Sequence, residues 1–277
     1  MTPDDYCQQK TLRSGSSFYY SVQFLDPPRR RAVTALHAFC KELRDLVEST
    51  ADESAARIKL AWWRTEIAAL FRGDPQHLVT RALAPCLGPY HLPQSCFDDM
   101  IDGMEIDLLQ TRYRDFIALE RYCDLTSGAA MACVARILGY TDAATLSCAR
   151  SLGRAIALTN IIRTAGAAAR GGRVYLPISE LQQFNVPVAD VLNARYSDNF
   201  TRLMQFHYER ATGYYEKALN VLPEADRGAQ RASLIMATLS RTLLEEIRLG
   251  GFLVLHQRTS LTPIRKLWLA WKTWVFV

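Results

Sequence analysis

The fold is decided by residues 158–177, LTNIIRTAGAAARGGRVYLP. Asn160, Arg163 and Ala167 recur at steps of three and four residues, so a helix would carry them on one face. The glycine pair 171–172 predicts the end of this helix, and the apolar residues after it predict a short extended segment that ends at a proline. We expect the shared face of the helix to point at a ligand.

The charges around this stretch are of one sign. No Asp or Glu occurs between Asp142 and Glu180. Five arginines lie in the same interval: Arg150, Arg154, Arg163, Arg170 and Arg173. The segment is therefore suited to bind an anion, and it cannot itself chelate a metal ion.

Composition predicts a single all-α domain over residues 1–277. The chain has 277 residues, 49% hydrophobic and 22% charged, and nothing in it resembles a linker. The net charge of +5 favours an anionic ligand or an anionic membrane surface. No basic module with interleaved aromatic residues is present, so we expect no nucleic-acid partner.

Cysteine usage and hydropathy predict a cytoplasmic protein. The seven cysteines lie mostly within apolar helical patterns and show no C-x-x-C pair, which indicates reduced core residues. The acidic N-terminus, MTPDDY, is not typical of a secretory signal. No apolar stretch approaches the roughly 20 residues that span a bilayer. Any membrane association is therefore expected to be peripheral.

A second motif lies upstream, at residues 40–48, CKELRDLVE. Arg44 and Glu48 are four residues apart on a predicted helix and are expected to form an ion pair without net charge. Such a pair contributes only about 0.2 to 0.5 kcal/mol on an exposed face. It would also compete with any metal ion for the Glu48 carboxylate.

Together the two motifs resemble the signatures of the squalene and phytoene synthases, especially the bacterial presqualene diphosphate synthases of hopanoid biosynthesis. The resemblance extends from Tyr6 to about Trp271. It implies the all-helical isoprenoid synthase fold with a deep central cavity. It also implies head-to-head condensation of two farnesyl diphosphates with Mg²⁺, and NADPH is not required for the presqualene step.

The chain departs from the family where the family binds its metal. The first signature, Cys-Arg-x-x-Asp-Asp-x-x-Asp, and the second, Asp-x-x-Glu-Asp after the arginine, supply magnesium carboxylates. Four of these positions are occupied here by Arg44, Thr164, Ala167 and Ala168. Asp45 and Glu48 remain as a weak metal-binding remnant, so we expect Mg²⁺ binding to be weak or absent. In addition, Asp124 replaces a tyrosine of the cavity and Ala157 replaces a glutamine.

Other family positions are retained as ligand contacts. The resemblance implies catalytic roles for Asn160 and Tyr175, with Asn160 and Arg163 also binding the substrate. Ser16 and Ser17 match a serine-rich turn that helps to receive the diphosphate, although such serines serve as frequently as helix N-caps. Arg44 is a new anion partner, because a guanidinium binds phosphate in bidentate fashion.

Three hypotheses follow. The first is a catalytically impaired family member that still binds a prenyl diphosphate or a related lipid. The second is an assembly or scaffold protein that reuses the fold. The third is an active prenyl transferase with an altered diphosphate site. The Ala and Thr replacements fit natural loss and deliberate inactivation of an ordinary presqualene diphosphate synthase equally well.

Two helical patterns are read from their apolar faces. Residues 51–71 predict a helix that packs through Ile58, Ala61, Trp62, Ile67 and Leu70. Residues 261–277 alternate Arg265, Lys266 and Lys272 with Trp268, Trp271 and Trp274. Tryptophans beside basic residues suit a membrane interface, and the alternative is a closing helix packed on the domain.

Overall fold

The computed structural model describes residues 1–13, 17–49 and 52–276, and these ranges form α-helices and loops without a β-strand. The helices are α1 Pro3–Arg13, α2 Phe18–Val22, α3 Pro27–Ser49, α4 Glu53–Arg72, α5 Leu78–Leu87, α6 Gln94–Leu109, α7 Phe116–Cys123, a π-helical turn Asp124–Gly128, α8 Ala129–Leu138, α9 Ala144–Arg170, α10 Ile178–Gln183, α11 Val188–Leu192, α12 Asp198–Val221, α13 Glu224–Arg227, α14 Arg231–Leu249 and α15 Pro263–Phe276. The prediction of an all-α chain is confirmed.

The central element is α9, which contains the arginine-rich stretch. It packs against α8, α12, α14 and the π-helical turn. Two of its glycines permit this close approach. A Cβ atom on Gly153 would lie 2.3 Å from the Ser127 carbonyl oxygen, and one on Gly166 would lie 2.1 Å from the Leu255 carbonyl oxygen. Both distances are too short for any side chain, so the two glycines set the position of neighbouring backbone.

Helix ends follow their local sequence signals. Asp52 accepts a hydrogen bond from the Ser54 amide and begins α4, which ends at Gly73 in the left-handed region with φ of 90°. Ser197 accepts from the Phe200 amide in the same way at the start of α12. Each cap satisfies a donor that the first helical turn leaves free.

The predicted packing face of α4 is partly wrong. Ile58 is 71% exposed, Trp62 is 45% exposed and Ala61 is also exposed, whereas Leu60 and Trp63 are buried. The buried set is Ala56, Leu60, Trp63, Glu66, Ile67 and Leu70. The sequence is apolar on two adjacent helix faces, and the contact with α6 decides which of them is covered.

The buried apolar residues form one continuous cluster. All seven cysteines are free thiols, six of them buried and Cys40 half-buried, so their prediction as core residues is confirmed. In the described part of the chain no helix is both long and apolar enough to cross a membrane.

The three tryptophans of α15 lie in two different environments. Trp274 stacks on Phe24 with ring centroids 5.3 Å apart, and the Arg231 guanidinium lies 5.4 Å from its ring centroid. Trp268 and Trp271 remain exposed. One of the three tryptophans therefore closes the domain, and only the other two face outward.

Candidate functional site

Arg44 lies on α3 with an exposed side chain, near Tyr122, Glu48 and Tyr175. Desolvation works against the charged form, but the interactions with Tyr122, Glu48 and Tyr175 outweigh it and raise the pKa of Arg44. Arg44 therefore stays a cation. No hydrogen bond or ion pair of Arg44 is found among the described residues, so the expected close pair with Glu48 is not formed.

Asp45 is directed toward α1. Its carboxylate lies 3.0 Å from Lys10 Nζ and also pairs with Lys41. Lys10 in turn pairs with Glu42 at 2.9 Å, and Glu42 accepts a hydrogen bond from the Tyr6 hydroxyl. Asp45, one of the two predicted metal ligands, is thus used in an ion-pair network between α1 and α3. The other, Glu48, is exposed at the end of α3.

The lost carboxylates of the second signature leave no oxygen ligand in their place. The Thr164 hydroxyl donates to the Asn160 backbone oxygen at 2.7 Å, so it is used within α9. Ala167 is exposed and Ala168 is half-buried. Asn160 is half-buried one helical turn from Arg163, as the predicted common face requires.

Arg163 differs from the other arginines of the acid-free interval. Arg150 and Arg154 pair with Asp124 at 2.9 and 3.0 Å. Arg170 donates to the Leu255 carbonyl oxygen, and Arg173 contacts Asp107. Within the described ranges the buried Nε of Arg163 has no hydrogen-bond partner. Burial, together with the charges of Arg258 and Arg44, lowers the pKa of Arg163 to about 10.

Sequence reasoning missed two cations that adjoin Arg163. Burial and the charges of Arg163 and Arg258 lower the pKa of Lys266. The Lys266 ammonium lies 5.6 Å from the ring centroid of Tyr20. Arg258 reaches this region because Gly166 lets the 252–256 backbone lie against α9, where the Gly166 amide donates to Val254 at 3.3 Å. We call Arg44, Arg163, Arg258 and Lys266 the cationic cluster.

Tyr175 is held by a carboxylate that the sequence pattern did not single out. Its hydroxyl donates to Asp107 Oδ1 at 2.7 Å, and Arg173 also donates to Asp107. Burial raises the pKa of Asp107, and burial beside Asp107 raises the pKa of Tyr175. Tyr175 stacks on Tyr122 at 5.7 Å, so the extended segment after α9 is anchored next to Arg44.

The remaining predicted positions lie in different environments. Ser16 lies outside the described residues. Ser17 is half-buried at the N-cap position of α2, and its side chain makes no capping hydrogen bond. Asp124, which replaces a cavity tyrosine, pairs with two arginines of α9, and Ala157 is buried. Asp102 and Glu105 of α6 pair with Arg64, so they belong to a solvated acidic face.

A cavity of about 560 Å³ lies elsewhere, between α12, α14 and α15. Threonine hydroxyls, leucine side chains, Arg241 and Glu245 line it. None of the predicted site residues borders this cavity.

The residues present do not fit the family's magnesium ions. The described ranges contain no group of three or more His, Cys, Asp or Glu side chains that would hold a metal ion. Magnesium requires hard oxygen ligands, and the corresponding positions offer a guanidinium, a hydroxyl used within its helix and two methyl groups. What the site offers is positive charge suited to an anion.

Comparison with known proteins gives a consistent result. Residues 11–265 match the family model described as squalene/phytoene synthase. The 15-cis-phytoene synthase of Synechococcus elongatus is 31% identical, over 94% of this chain and 89% of that protein. The chloroplastic phytoene synthase 1 of Arabidopsis thaliana is 30% identical, over 95% of this chain and 64% of that protein.

Solved structures share the fold. A dehydrosqualene synthase in complex with ligand superposes with a TM-score of 0.88 over 99% of this chain and 96% of its own, at 22% identity. The squalene synthase HpnC from Alicyclobacillus acidocaldarius gives a TM-score of 0.79 over 90% of this chain and 94% of its own, also at 22% identity. At this identity the likeness establishes the fold alone, which agrees with the predicted isoprenoid synthase architecture.

Proposed function

The chain belongs to the squalene/phytoene synthase family, whose reaction is head-to-head condensation of prenyl diphosphates, and we propose that it binds such a diphosphate while catalysing the condensation poorly or not at all. The observation that carries this proposal is the replacement of family carboxylates by Arg44, Thr164, Ala167 and Ala168, beside a retained Asn160, Arg163 and Tyr175. The ligand is farnesyl diphosphate or a related lipid, and the family reaction that the chain resembles is the presqualene step, which uses no NADPH.

The cationic cluster supports an anionic ligand. Like charges repel by about 2 kcal/mol at a separation of roughly 7 Å and an effective dielectric constant of 20. A protein normally offsets such repulsion with carboxylates, but no close ion pair of Arg44 or Arg163 with a carboxylate occurs among the described residues, and Glu48 acts on Arg44 without such a pair. A bound diphosphate would supply the missing negative charge and would accept the unpaired donor of Arg163.

Arginines in place of the metal ions would also allow the protein to bind the diphosphate without converting it. A guanidinium can hold a diphosphate in its ground state through bidentate hydrogen bonds. The leaving group develops further charge in the transition state, which the family stabilises with bound cations at the carboxylates that this chain lacks. The cluster thus provides affinity without the matching acceleration.

We extend the proposal to the place where the protein works. The ligand is an amphiphile with an apolar tail, and α15 carries exposed tryptophans next to basic residues. A cytoplasmic protein that contacts a membrane at its periphery would meet such a ligand at the lipid surface.

Binding is tested with a non-hydrolysable farnesyl thiodiphosphate in the presence of EDTA, by isothermal titration calorimetry. We expect the native chain to bind, and Arg44→Ala to weaken binding about tenfold or more, because a hydrogen bond to a charged group contributes about 1.5 to 3 kcal/mol. Arg114→Ala is the matched control, since that side chain is 92% exposed. Absence of metal-free binding by the native chain would refute the proposal.

Turnover is tested by giving farnesyl diphosphate and Mg²⁺ to the native chain and to a variant with Arg44→Asp, Thr164→Asp, Ala167→Glu and Ala168→Asp. Product only from the variant supports an intact cavity without its metal site. Product from both at equal rates contradicts the impairment and favours an active enzyme with an altered diphosphate site. If neither protein forms product or binds the ligand, the scaffold hypothesis is favoured.

A further inference from the structure

Helix α15 presents a continuous apolar face to solvent. At 100° per residue, five of its six exposed large apolar side chains fall within an arc of about 100°, and the sixth, Phe276, lies outside that arc at the end of the helix. The five are Ile264, Leu267, Trp268, Trp271 and Val275, exposed by 82, 53, 56, 43 and 51%. We call these five residues the α15 stripe. Single exposed apolar residues are ordinary, but a contiguous row of five on one helix indicates an interaction surface.

The opposite face of α15 is fixed to the body of the protein. Ala270 is fully buried and Thr273 nearly so. Trp274 stacks on Phe24 of the segment after α2, and α15 packs along α14. The α15 stripe is therefore held outward by tertiary contacts, so it keeps a defined orientation.

Charge identifies the occupant of this surface. Helix α15 has three basic residues and no acidic one. Arg265 and Lys272 are exposed and lie along one edge of the stripe on the helical wheel. Arg265 pairs with Glu246, whereas no ion pair of Lys272 occurs among the described residues. Paired tryptophans, aliphatic side chains and a basic edge are the composition of a helix that lies in an anionic lipid interface.

The same helix borders the candidate site. Lys266 lies on the inward side of α15, 5.6 Å from the Tyr20 ring centroid, and it belongs to the cationic cluster. A helix with its side chains is about 10 to 12 Å across. The surface that bears the stripe and the cations that face inward are thus separated by one helix diameter.

We propose that the α15 stripe docks this protein on an anionic lipid bilayer and brings the cationic cluster to the lipid surface. Docking depends only on α15. The consequence that an amphipathic prenyl ligand passes from the bilayer to the cluster rests on the proposed function.

Docking is tested by flotation of the full chain with vesicles of phosphatidylcholine, alone or with about 30% phosphatidylglycerol. We expect binding to the anionic vesicles that weakens as salt is raised, because surface charge is screened. Leu267→Ser with Trp271→Ser should lower the partition coefficient at least tenfold, since two large apolar side chains no longer enter the lipid interface.

The matched control is Ile58→Ser with Trp62→Ser, which removes an equally exposed aliphatic and indole pair from α4. Loss of binding in both double variants, or in neither, would overturn the assignment to α15. Equal binding of the native chain to neutral vesicles would overturn the anionic preference. A native dimer that the α15 variant converts to a monomer, with no vesicle binding, would make the stripe a protein interface.

The closing comparison separates docking from ligand binding. Farnesyl thiodiphosphate is titrated into the α15 double variant without vesicles. We expect unchanged affinity there, because the stripe does not face the cationic cluster. Vesicle docking without any ligand binding would overturn only the proposed function and the access route, whereas ligand binding without docking would overturn the inference drawn from α15.

Discussion

Two charged regions of this protein hold their charges in opposite ways. Glu180 is 6% exposed, and Arg210 donates to both of its oxygens at 2.6 and 3.0 Å. His207 Nε2 lies 3.1 Å from the same carboxylate, and Phe116 covers the Arg210 guanidinium at 3.7 Å. In the Glu180 network, defined as Glu180, His207 and Arg210, each charge therefore has a protein partner.

The cationic cluster has less compensation. No ion pair of its four members occurs among the described residues, although the charge of Glu48 acts on Arg44. Arg163 lies near Arg44 and Arg258, and burial with their charges lowers its pKa to about 10. The charges of the Glu180 network are paired within the folded chain, whereas a bound anion would supply the cluster with a paired counter-charge. The difference teaches that stability and binding are carried by separate sets of charges, and it predicts opposite effects of mutation.

Arg210→Met should give the largest effect. It leaves the Glu180 carboxylate buried without its guanidinium, and removing one partner of a buried pair costs about 3 to 5 kcal/mol. Urea denaturation measures the free energy of unfolding. Arg202→Met, an exposed arginine of the same helix, is the control and should change stability by less than about 0.5 kcal/mol. A loss below about 1 kcal/mol in Arg210→Met would remove the contrast between the two regions.

Acid should weaken the Glu180 network and spare the cluster. Burial opposes ionisation of Glu180, but hydrogen bonds from His207 and Arg210 outweigh it and lower the pKa from 4.5 to about 2. The unfolded chain then takes up the proton first as pH falls. The contribution of Glu180 is fully present above about pH 4.5 and is lost toward pH 2.

This loss amounts to about 2 kcal/mol between neutral pH and about pH 3. The pKa of His207 is lowered by burial, so protonation of the unfolded chain below about pH 6.5 acts in the same direction. Unfolding free energies measured across this range should fall for the native chain and fall less for Glu180→Gln. Parallel curves for the two proteins would show that Glu180 does not carry the pH dependence.

Gly166→Ala should lower both stability and ligand affinity, with a moderate effect. The added methyl group would meet the Leu255 carbonyl oxygen at 2.1 Å, so the loop that leads to Arg258 has to move. Overpacking of this kind costs about 1 to 3 kcal/mol. Affinity for farnesyl thiodiphosphate should fall with it.

Gly213→Ala in α12 is the control for that variant. No atom lies within 4 Å of its added Cβ, so helix propensity should stabilise the protein by about 0.5 to 1 kcal/mol. Thermal unfolding of both variants measures the difference. Equal stability of the two alanine variants would show that the close approach at Gly166 is not required.

Arg163→Met should give the smallest change in stability, and one of opposite sign. It removes a cation that is repelled by Arg44 and Arg258, so the ligand-free protein should become more stable by about 0.5 to 1 kcal/mol or stay unchanged. Ligand affinity should nevertheless fall at least tenfold. Urea denaturation and calorimetry on the same preparation test both parts, and a destabilised protein with normal affinity would place Arg163 with the structural charges.

The sequence by itself determined the helices, the family and the loss of the metal carboxylates. These follow from local information: periodic apolar residues, capping residues such as Asp52 and Ser197, and signature positions that lie within one helix turn of each other. The buried cysteines were predictable for the same reason, since their helical neighbours are apolar.

Tertiary structure alone decided which residues join the signatures. Arg258, Lys266 and Asp107 are distant in the chain from the residues they adjoin, and no periodicity relates them. Trp62 and Trp63 are equally apolar, and only the second is buried, where it packs on Phe39 of α3 and on His77. Trp274 likewise packs on Phe24 while Trp271 stays exposed. The helix sequence is apolar at both positions, and the position of the neighbouring elements determines which face of the helix is buried.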